Sequence, residues 1–441
     1  MLHDLAARLY PLRRSLTGNG VRGTLGILAE RLPMLKQREV ATGTSVLDWT
    51  VPNEWNWEAA WFADAEGRRV VDAAHHGLHL VGYSVPVRKR MAWSDLKAHV
   101  HSLPEQPDLI PYRTAYYAET WGFCLRYRTV LALEERGDDA VYEVCIEATR
   151  GAGSLTYGEV VLSGETDETV LISAHVCHPM LANDNLSGVV VAAALAERLA
   201  ARDARRYTYR FVWAPGTVGA ITWLATNEDL VPRIQHGLIL ANLGDAGGFT
   251  YKMSRPGTFS RGTDDAARVE IDRAVAIVMR DAGEALDVRP YTPYGYDERQ
   301  FGSPGFDLPV GCITRTPYGE YPEYHTSADD LDLISEGQLQ GALDRLTDVV
   351  DVLEANRYLR NRHPRGEPQL GRRGLYRVLG GHPDAPTQQM AMLWTLNMAA
   401  PGERPQHDLL AIAERSGLPF AAIREAADLL EAHGLVERMR S

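Results

Sequence analysis

The spacing of apolar residues changes along the chain and predicts a different structure for each stretch. Up to about residue 33, apolar residues recur with helical period on both sides of a turn at 17–20, which predicts two short helices. From about 45 to 116 tryptophans accumulate, with a hairpin signal at 63–67 and a strand-like run at 76–83. This stretch is expected to form a small β-rich module. Its tryptophans fit carbohydrate stacking or core packing, and core packing is the simpler interpretation.

Strand-like and helix-like segments alternate from about residue 129, which indicates an α/β layer architecture. Buried strands are predicted at 169–174, 207–213 and 237–241. Helices are predicted at 187–202, 217–226, 266–282 and 335–354. Because sites in such sheets lie where the strands end, the residues that follow these strands are the first candidates for chemistry.

The end of the chain has the composition of a linker followed by a small helical unit. Residues 357–377 combine arginines with prolines and glycines, which is typical of a solvated linker. Three helical patterns and a short strand follow at 387–398, 406–414, 420–433 and 435–438. This order predicts a winged helix-turn-helix. Its third helix carries Glu425, Asp428 and Glu431, which would repel phosphate, so a packing or dimerisation role is favoured over DNA binding.

Composition and charge exclude several classes of protein. The 441 residues are 45% hydrophobic and 24% charged, as in an ordinary globular chain. The net charge of −12 disfavours nucleic acid as a partner. Four scattered cysteines without a Cys-x-x-Cys pair argue against a disulfide framework. The N-terminus lacks an apolar signal core and the longest apolar run, 188–196, is too short to span a bilayer, so a cytoplasmic protein without a membrane partner is expected.

Three segments far apart in the chain each offer side chains that bind metals. His175 ends a predicted strand, and Asp184 precedes the helix that follows it. Asp245 follows another strand, and His325 lies in a loop rich in carboxylates. Imidazole and carboxylate ligands without thiolates are typical of hydrolytic Zn²⁺ sites, because they leave a coordination position for water. A lone histidine at a strand end is more often structural, so the prediction rests on the combination.

Several unusual strings of sequence carry a family resemblance. They lie at 45–55, 175–179, 184–188, 294–300 and 321–329. Together with the tail, they make the chain similar to a bacterial aminopeptidase-like family that has a β-rich insertion near the N-terminus and a C-terminal winged helix. More distantly, the chain resembles the co-catalytic zinc aminopeptidases of the leucine-aminopeptidase type.

The resemblance implies a fold class and a division of the chain. The fold class is α/β, with a zinc-aminopeptidase-like three-layer α/β/α domain formed by residues 1–44 and 117–360. A β-rich domain is inserted at 45–116, and residues 361–441 form a linker and a winged helix-turn-helix domain. The extra modules would narrow access to the site, which favours a small molecule or a short peptide as the substrate. They are also compatible with a homo-oligomer.

Carried over residue by residue, the resemblance also implies a set of metal ligands. His175 and Asp245 correspond to ligands of a first metal, and Asp184 corresponds to the carboxylate that bridges two metals. His325 corresponds to the terminal ligand of the second metal. One zinc ion is expected more readily than two, because Thr217 stands where the second site has a Glu ligand.

The resemblance fails at the position of the general base. The closer family has Pro-Glu-Thr-Ile-Gly after the corresponding strand, whereas this chain has Pro-Gly-Thr-Val-Gly at 215–219, so Gly216 replaces the Glu. A positioned base supplies about 10² to 10⁴ in rate, so ordinary peptide hydrolysis should be slow unless another carboxylate substitutes. Glu298 and Glu323 are expected to be the catalytic substitutes, and Asp297 is a further candidate.

Other residues near these motifs are expected to contact substrate, namely His178, Asp297, Arg299, Arg315 and Tyr324. His178 fits a metal ligand or a loop brace equally well. The acidic residues would suit a substrate ammonium and the arginines a carboxylate, while a salt-bridged loop network is the structural alternative. Cys177 stands where aminopeptidases have the Asp that orients the first histidine, so that hydrogen bond must come from elsewhere.

The sequence thus predicts a zinc-dependent hydrolase of the aminopeptidase-like type, acting on an amide bond in a small aminoacylated or peptidic substrate. The alternative is a catalytically impaired metal- or ligand-binding protein that acts in assembly, and Gly216 favours it. A transcriptional regulator is a third hypothesis that rests on the tail alone.

Overall fold

The structure, a computed structural model, describes residues 1–256, 269–375 and 385–439. The helices within these residues are α1 (Leu2–Leu9), α2 (Asn19–Arg31), α3 (Trp93–Leu96), α4 (Tyr127–Glu134), α5 (Gly188–Ala200), α6 (Val218–Thr226), α7 (Glu270–Ala282), α8 (Glu298–Phe301), α9 (Glu336–Ala355), α10 (Ala385–Met398), α11 (Leu409–Ser416) and α12 (Phe420–Ala432). The strands are β1 (Lys36–Ala41), β2 (Ser45–Val46), β3 (Trp49–Thr50), β4 (Glu54–Ala63), β5 (Arg69–Asp72), β6 (Val87–Ala92), β7 (Val100–His101), β8 (Phe123–Cys124), β9 (Val141–Gly151), β10 (Ser154–Leu162), β11 (Thr169–His175), β12 (Thr208–Ala214), β13 (Ile234–Leu240), β14 (Phe249–Lys252), β15 (Leu286–Arg289), β16 (Val310–Thr314), β17 (Leu359–Asn361) and β18 (Val436–Arg438).

The chain divides into two compact units. The first unit comprises Met1–Ser260 and Asp287–Asp344, and the second comprises Arg261–Leu286 and Arg345–Ser441. Among the described residues, no helix combines the length and the apolar composition that a bilayer span requires.

An eight-stranded sheet with the strand order β1-β10-β12-β11-β13-β16-β14-β15 forms the centre of the first unit. β12, β11, β13 and β16 run parallel to one another. β1, β10 and β14 pair antiparallel with their neighbours. The parallel strands are almost entirely buried and rich in Val, Ile and Leu, as expected of a sheet that is covered on both faces.

Neighbouring residues of β12 face different layers of helices. The indole N–H of Trp213 donates a hydrogen bond to the Val189 carbonyl of α5 at 3.3 Å. Its neighbours Val212 and Ala214 instead pack in one apolar cluster with Val218 of α6. Because successive side chains of a strand point to opposite faces, α5 and α6 cover opposite faces of the sheet. The expected α/β architecture with three layers is therefore confirmed.

The β-rich stretch forms a four-stranded sheet with the order β5-β4-β9-β6. The hairpin predicted at 63–67 joins β4 to β5, whereas the run at 76–83 forms a 3₁₀ turn and irregular chain instead of a strand. Trp55 and Trp93 are buried in the core of this module, so core packing accounts for them. The longest strand, β9, follows the predicted insertion in sequence, so this sheet extends beyond the insertion.

The second unit contains the winged helix together with α7. α10, α11 and α12 pack on one another, and β17 pairs with β18 to form the wing, so part of the predicted linker is a strand. α12 begins against α7, where the backbone N–H of the buried Phe420 donates to the Asp281 carboxylate at 2.7 Å. The Arg357 guanidinium pairs with Asp428 and Glu431. The acidic side chains of α12 are thus partly used within the unit.

Asp408 joins three parts of the second unit through one buried carboxylate. It accepts hydrogen bonds from the Arg273 guanidinium of α7 at 2.8 and 3.0 Å and from Asn356 at 3.2 Å. It also caps α11 by accepting the Ala411 backbone N–H at 2.7 Å. We expect Asp408→Ala to lower the free energy of unfolding by about 3 kcal/mol, because the partly buried Arg273 guanidinium keeps only Glu414 as its ion-pair partner and a helix loses its cap.

Chemical denaturation followed by circular dichroism measures this loss. Glu403→Ala is the matched control, because Glu403 pairs with Arg360 from a side chain that is 87% exposed. Exposed pairs contribute about 1 kcal/mol or less. Equal losses in the two variants would contradict the role assigned to Asp408.

Candidate metal centre

Three parallel strands end at the same edge of the central sheet. β11 ends at His175, whose register partner on β12 is Ala214, and β13 ends at Leu240. Because these strands run in the same direction, the residues that follow them meet at one edge. A helical turn over Ala182–Ser187, kinked at Asp184, brings a carboxylate back to this edge.

Asp184 lies at the centre of the site, with three imidazoles around its carboxylate. His175 Nε2 lies 2.8 Å from Oδ1, and His325 Nε2 lies 2.9 Å from Oδ2. His178 Nδ1 lies 3.3 Å from the same Oδ2. Asp184 is completely buried. The fold thus brings together a strand end, the loop that follows it and a distant loop.

The charges of these groups depend on one another. Burial opposes ionisation of Asp184, but the neighbouring His178 and His175 hold its pKa well below the ordinary value. Burial acts to lower the pKa of His175, and the Asp184 carboxylate more than offsets it, so this pKa is raised. For His178 burial prevails and the pKa is lowered. An ionised carboxylate and a neutral imidazole are the forms that bind metals.

Asp329 holds the loop that carries Asp184. Its carboxylate accepts the backbone N–H groups of Asn183 and Asp184 at 2.5 and 3.0 Å, and its carbonyl accepts that of Ala182 at 2.9 Å. The Tyr321 hydroxyl donates to the same carboxylate at 3.4 Å. Burial raises the pKa of Asp329 to about 7, with the Asp184 charge adding to the effect. The sequence places Asp329 in an unusual string but assigns it no role.

The donor set fits a metal ion. His175, His178 and Asp184 each offer one ligand atom, and these atoms lie within 4.8 Å of one another. His178 Nδ1 is buried and lies at ion-pair distance from Asp184 Oδ2, but it makes no well-formed hydrogen bond in the described part of the chain. Asn242 Oδ1, just after β13, is also buried without a hydrogen bond there. A bound metal would give His178 Nδ1 a direct partner. Two imidazoles and a carboxylate are also ligands of catalytic zinc sites.

Asp245, which the resemblance implies as a ligand of the first metal, is not part of this group. Its Oδ1 accepts hydrogen bonds from Thr316 Oγ1 at 2.6 Å and from the Gly247 N–H at 2.8 Å, and its Oδ2 accepts from Asn183 at 2.9 Å. The chain turns at Asn242, with φ of 47°, before it reaches Asp245. The structure therefore places Asp245 as a brace between loops, and Asn242 follows the strand end more closely.

The two carboxylates expected to replace the missing base lie in different surroundings. Glu298 is completely buried, with Oε1 bonded to Lys252 Nζ at 2.8 Å and Oε2 enclosed without a partner among the described residues. Glu323 is half-buried and lies in the same loop as His325. Within the described ranges, neither carboxylate is hydrogen-bonded to a histidine of the site.

Three of the residues expected to contact substrate lie near the histidines. The Tyr324 ring stacks on the His325 ring, with 4.0 Å between the centroids. Asp297 is buried and accepts the Thr217 backbone N–H at 2.7 Å. The Arg299 guanidinium donates to the Thr217 hydroxyl at 3.4 Å. Two of these side chains thus hold the residue next to Gly216.

The other two expected substrate contacts have different places. His178 lies in the metal-binding group described above, with its ring edge-on to those of His175 and His325 at about 5 Å. Arg315 is buried, donates to the Gly247 carbonyl at 2.8 Å and lies over the Phe249 ring. Arg315 therefore belongs to the network of the loops, which is the structural alternative that the sequence left open.

Gly216 lies beside the first histidine. A Cβ built on it would lie 3.6 Å from Cys177 Sγ and 3.7 Å from His175 Cβ, which are ordinary contact distances. Cys177 Sγ accepts the Gly216 N–H at 3.3 Å, and burial raises the pKa of this thiol to about 12. Cys177 thus braces the turn. The group next to His175 Nδ1 is instead the Asn185 amide, at 3.3 Å.

A cavity of about 310 Å³ opens beside the site. Tyr296 and Tyr318 line it, together with Lys252 and Glu298. The Tyr296 ring stacks on the His175 ring at 5.6 Å between centroids, and Tyr318 contacts Tyr296 edge-on at 5.3 Å. The tyrosines therefore connect the cavity to the histidines. The sequence includes Tyr296 in a family string without a role, because only the folded chain stacks it on His175.

Two parts of the chain match known families. Residues 3–356 match the family described as "Domain of unknown function (DUF4910)", and residues 357–438 match a family described as winged helix-turn-helix. A Clostridium acetobutylicum protein is 43% identical over 429 residues, which cover 97% of this chain and 94% of that protein. Its name describes a polysaccharide biosynthesis protein with an aminopeptidase-like domain.

Solved structures share the fold. A crystal structure of a Clostridium acetobutylicum protein described as a peptidase has a TM-score of 0.90 and 39% identity, and the match covers 99% of this chain and 96% of that one. A zinc aminopeptidase from Bacillus subtilis has a TM-score of 0.55 and 14% identity over 79% of this chain and 93% of its own. The chain therefore shares the fold of the zinc aminopeptidases, and the expected winged helix is matched at residues 357–438.

Proposed function

Because this chain belongs to the DUF4910 family and shares the fold of the zinc aminopeptidases, we propose that it is a metal-dependent hydrolase that cleaves an amide bond in a small aminoacylated or peptidic substrate. The observation that carries the proposal is the buried Asp184 carboxylate with three imidazoles around it at the ends of parallel strands. The aminopeptidase-like domain named in the 43% identical relative supports the same chemistry.

His175, His178 and Asp184 would hold one zinc ion. His325, which faces the same carboxylate oxygen as His178, would serve a further ion. When bound, zinc activates water and polarises a carbonyl oxygen. The chain's own residues prepare the site for it. Asp329 fixes the backbone of the Asp184 loop through two hydrogen bonds, which holds the Asp184 carboxylate beside the histidines. Substituting a residue that holds a metal ligand in place commonly lowers metal affinity by about 10- to 100-fold.

The cavity beside the site suits a small substrate. Its volume of about 310 Å³ accommodates one side chain or a sugar-sized group and not a folded polypeptide. The stacked rings of Tyr296 on His175 and of Tyr324 on His325 flank the site. The name of the relative links it to polysaccharide biosynthesis, so aminoacylated amino sugars are substrates to test beside aminoacyl amides.

The tail supports a structural role and not DNA recognition. α12 begins against α7, with the Phe420 N–H bonded to Asp281, and two acidic residues of α12, Asp428 and Glu431, pair with Arg357. The described cysteines are all buried free thiols, which supports the expected reducing compartment of a cytoplasmic protein.

An activity screen tests the proposal. We expect the zinc-loaded protein to hydrolyse at least one member of a panel of aminoacyl-anilides, dipeptides and aminoacylated amino sugars. A chelator should abolish the reaction, and zinc should restore it, because the ligand set holds the ion reversibly. The Glu403→Ala variant, altered at an exposed side chain of the second unit, is the control that should keep the wild-type rate. If the protein binds zinc but hydrolyses no member of the panel, the result would support the alternative. In that case the chain would be a catalytically impaired metal- or ligand-binding protein that acts in assembly.

A further inference from the structure

The turn after β12 lacks the carboxylate that the proposed reaction needs. His175 and Ala214 are register partners on neighbouring strands, and Gly216 follows Ala214 by two positions. The missing Cβ of Gly216 would lie 3.7 Å from His175 Cβ, so a side chain at this position would begin beside the proposed metal ligand. A water molecule there needs a proton acceptor from another element of the fold.

Asp297 brings a carboxylate to the same turn. It lies just before α8, and its Oδ1 accepts the Thr217 backbone N–H at 2.7 Å, so it is tied to the residue next to Gly216. The residue before Asp297, Tyr296, stacks its ring on the His175 ring with 5.6 Å between the centroids. The Thr217 hydrogen bond and the Tyr296 stacking together hold this segment between the turn after β12 and the first histidine.

The second oxygen of Asp297 is free to act. Within the residues that the structure describes, no group donates to Oδ2, and this atom is not among the enclosed atoms, unlike Glu298 Oε2. Asp297 is 4% exposed, so the group has little room to move.

The other carboxylates are less suited to the role. Glu298 Oε1 is bonded to Lys252 and Oε2 is enclosed, so neither oxygen reaches a water in the site. Glu323 is half-buried, and no described residue hydrogen-bonds to its carboxylate to fix it in place. A general base needs a fixed geometry first and a suitable pKa second.

We propose that Asp297 is the general base of this enzyme and takes the role of the carboxylate that Gly216 lacks. The proposal rests on the proposed hydrolase function. An O–H bond of the attacking water breaks and its proton moves to Asp297 Oδ2, while the water oxygen bonds to the amide carbonyl carbon. The C–N bond then breaks with its electron pair on nitrogen, and the proton passes from Asp297 to the leaving amine.

The test is a rescue experiment on a substrate found by the activity screen. Asp297→Asn should lower kcat by about 10² to 10⁴ with a smaller effect on KM, because a base acts mainly in the transition state. Its zinc affinity, measured by calorimetry, should be unchanged. Adding Gly216→Glu to Asp297→Asn should restore most of the lost rate, whereas adding Gly216→Ala should not. Asp307→Asn, which alters a pair with Arg255, is the matched control for substituting Asp by Asn.

The outcomes separate this proposal from the function on which it rests. An inactive wild type with zinc bound overturns both. An active wild type in which Asp297→Asn retains the rate, or in which only Glu323→Gln loses it, overturns the assignment of Asp297 alone. Loss of rate in a folded Asp297→Asn variant without rescue by Gly216→Glu shows that Asp297 only holds Thr217, and it overturns the assignment as well.

Discussion

Asp184→Asn should abolish tight zinc binding and lower amide hydrolysis by about 10³-fold or more, the largest effect expected of any single substitution here. The two side chains have the same shape, so the change removes the negative charge and little else. In the wild type this carboxylate lies 2.8 Å from His175 Nε2 and 2.9 Å from His325 Nε2. No other carboxylate is in the metal-binding group found among the described residues.

Calorimetric zinc titration and thermal melting measure this effect. Zinc at about 100 times its Kd stabilises a folded protein by about 2.7 kcal/mol, so the wild-type melting temperature should rise and that of Asp184→Asn should not. Asp245→Asn is the matched control, because Asp245 is bonded to Thr316, Gly247 and Asn183 and lies outside the group. If Asp245→Asn lost zinc binding while Asp184→Asn kept it, Asp245 and not Asp184 would be the metal ligand.

Lys252→Met should lower the free energy of unfolding by about 3–5 kcal/mol, the largest stability effect expected in the first unit. Lys252 Nζ lies 2.8 Å from Glu298 Oε1, and the Glu298 side chain is completely buried. Removing the ammonium leaves a buried carboxylate without its counter-charge, while Met retains most of the apolar stem. Urea denaturation followed by fluorescence measures the change.

The double variant Lys252→Met/Glu298→Leu provides the control for the Lys252 prediction. Replacing both partners of a buried pair with apolar residues of similar volume is often nearly neutral, so this variant should recover most of the lost stability. If the double variant is less stable than Lys252→Met, the loss comes from packing and not from the unpaired charge. The same double variant should bind zinc normally, because Glu298 is not hydrogen-bonded to the histidines.

The positions of the strands, and of His175 at the end of β11, follow from the sequence by a simple rule. Apolar runs predict β11 and β13, and parallel strands place their following residues at one edge. Asp184 meets His175 there because its loop folds back, and His325 reaches Asp184 from a loop 141 positions away that the family resemblance singled out. The rule works because it depends only on the direction of the strands. It says nothing about the rotation of each side chain.

The remainder of the site depends on loop conformation, which a single sequence does not determine. Asn242 and Asp245 both follow β13, and the positive φ of Asn242 decides that Asp245 turns to Thr316 instead of the histidines. Asp297 and Glu298 are adjacent in sequence, yet the start of α8 sends one to Thr217 and the other to Lys252. Sequence alone offers no signal that separates them.

The limits of the β-rich module show a similar difficulty. β4 pairs along its length with β9, which lies outside the predicted insertion at 45–116. The pairing of strands so far apart depends on side-chain contacts across the sheet and not on local propensity. The first strand of the wing is missed for the same reason. This strand, β17, lies in a stretch whose arginines, prolines and glycines are typical of a linker, and it forms a strand by pairing with β18.

The metal centre is tested most directly by anomalous diffraction from crystals of the full chain grown with zinc, with data collected on both sides of the zinc absorption edge. We predict an anomalous peak within bonding distance of Asp184, His175 and His178, about 2.0–2.2 Å from each donor atom. A second, weaker peak beside His325 would add an ion without changing the assignment. The assignment would be contradicted if crystals grown with zinc gave no anomalous peak at Asp184. It would also be contradicted if the only peak lay beside Asp245.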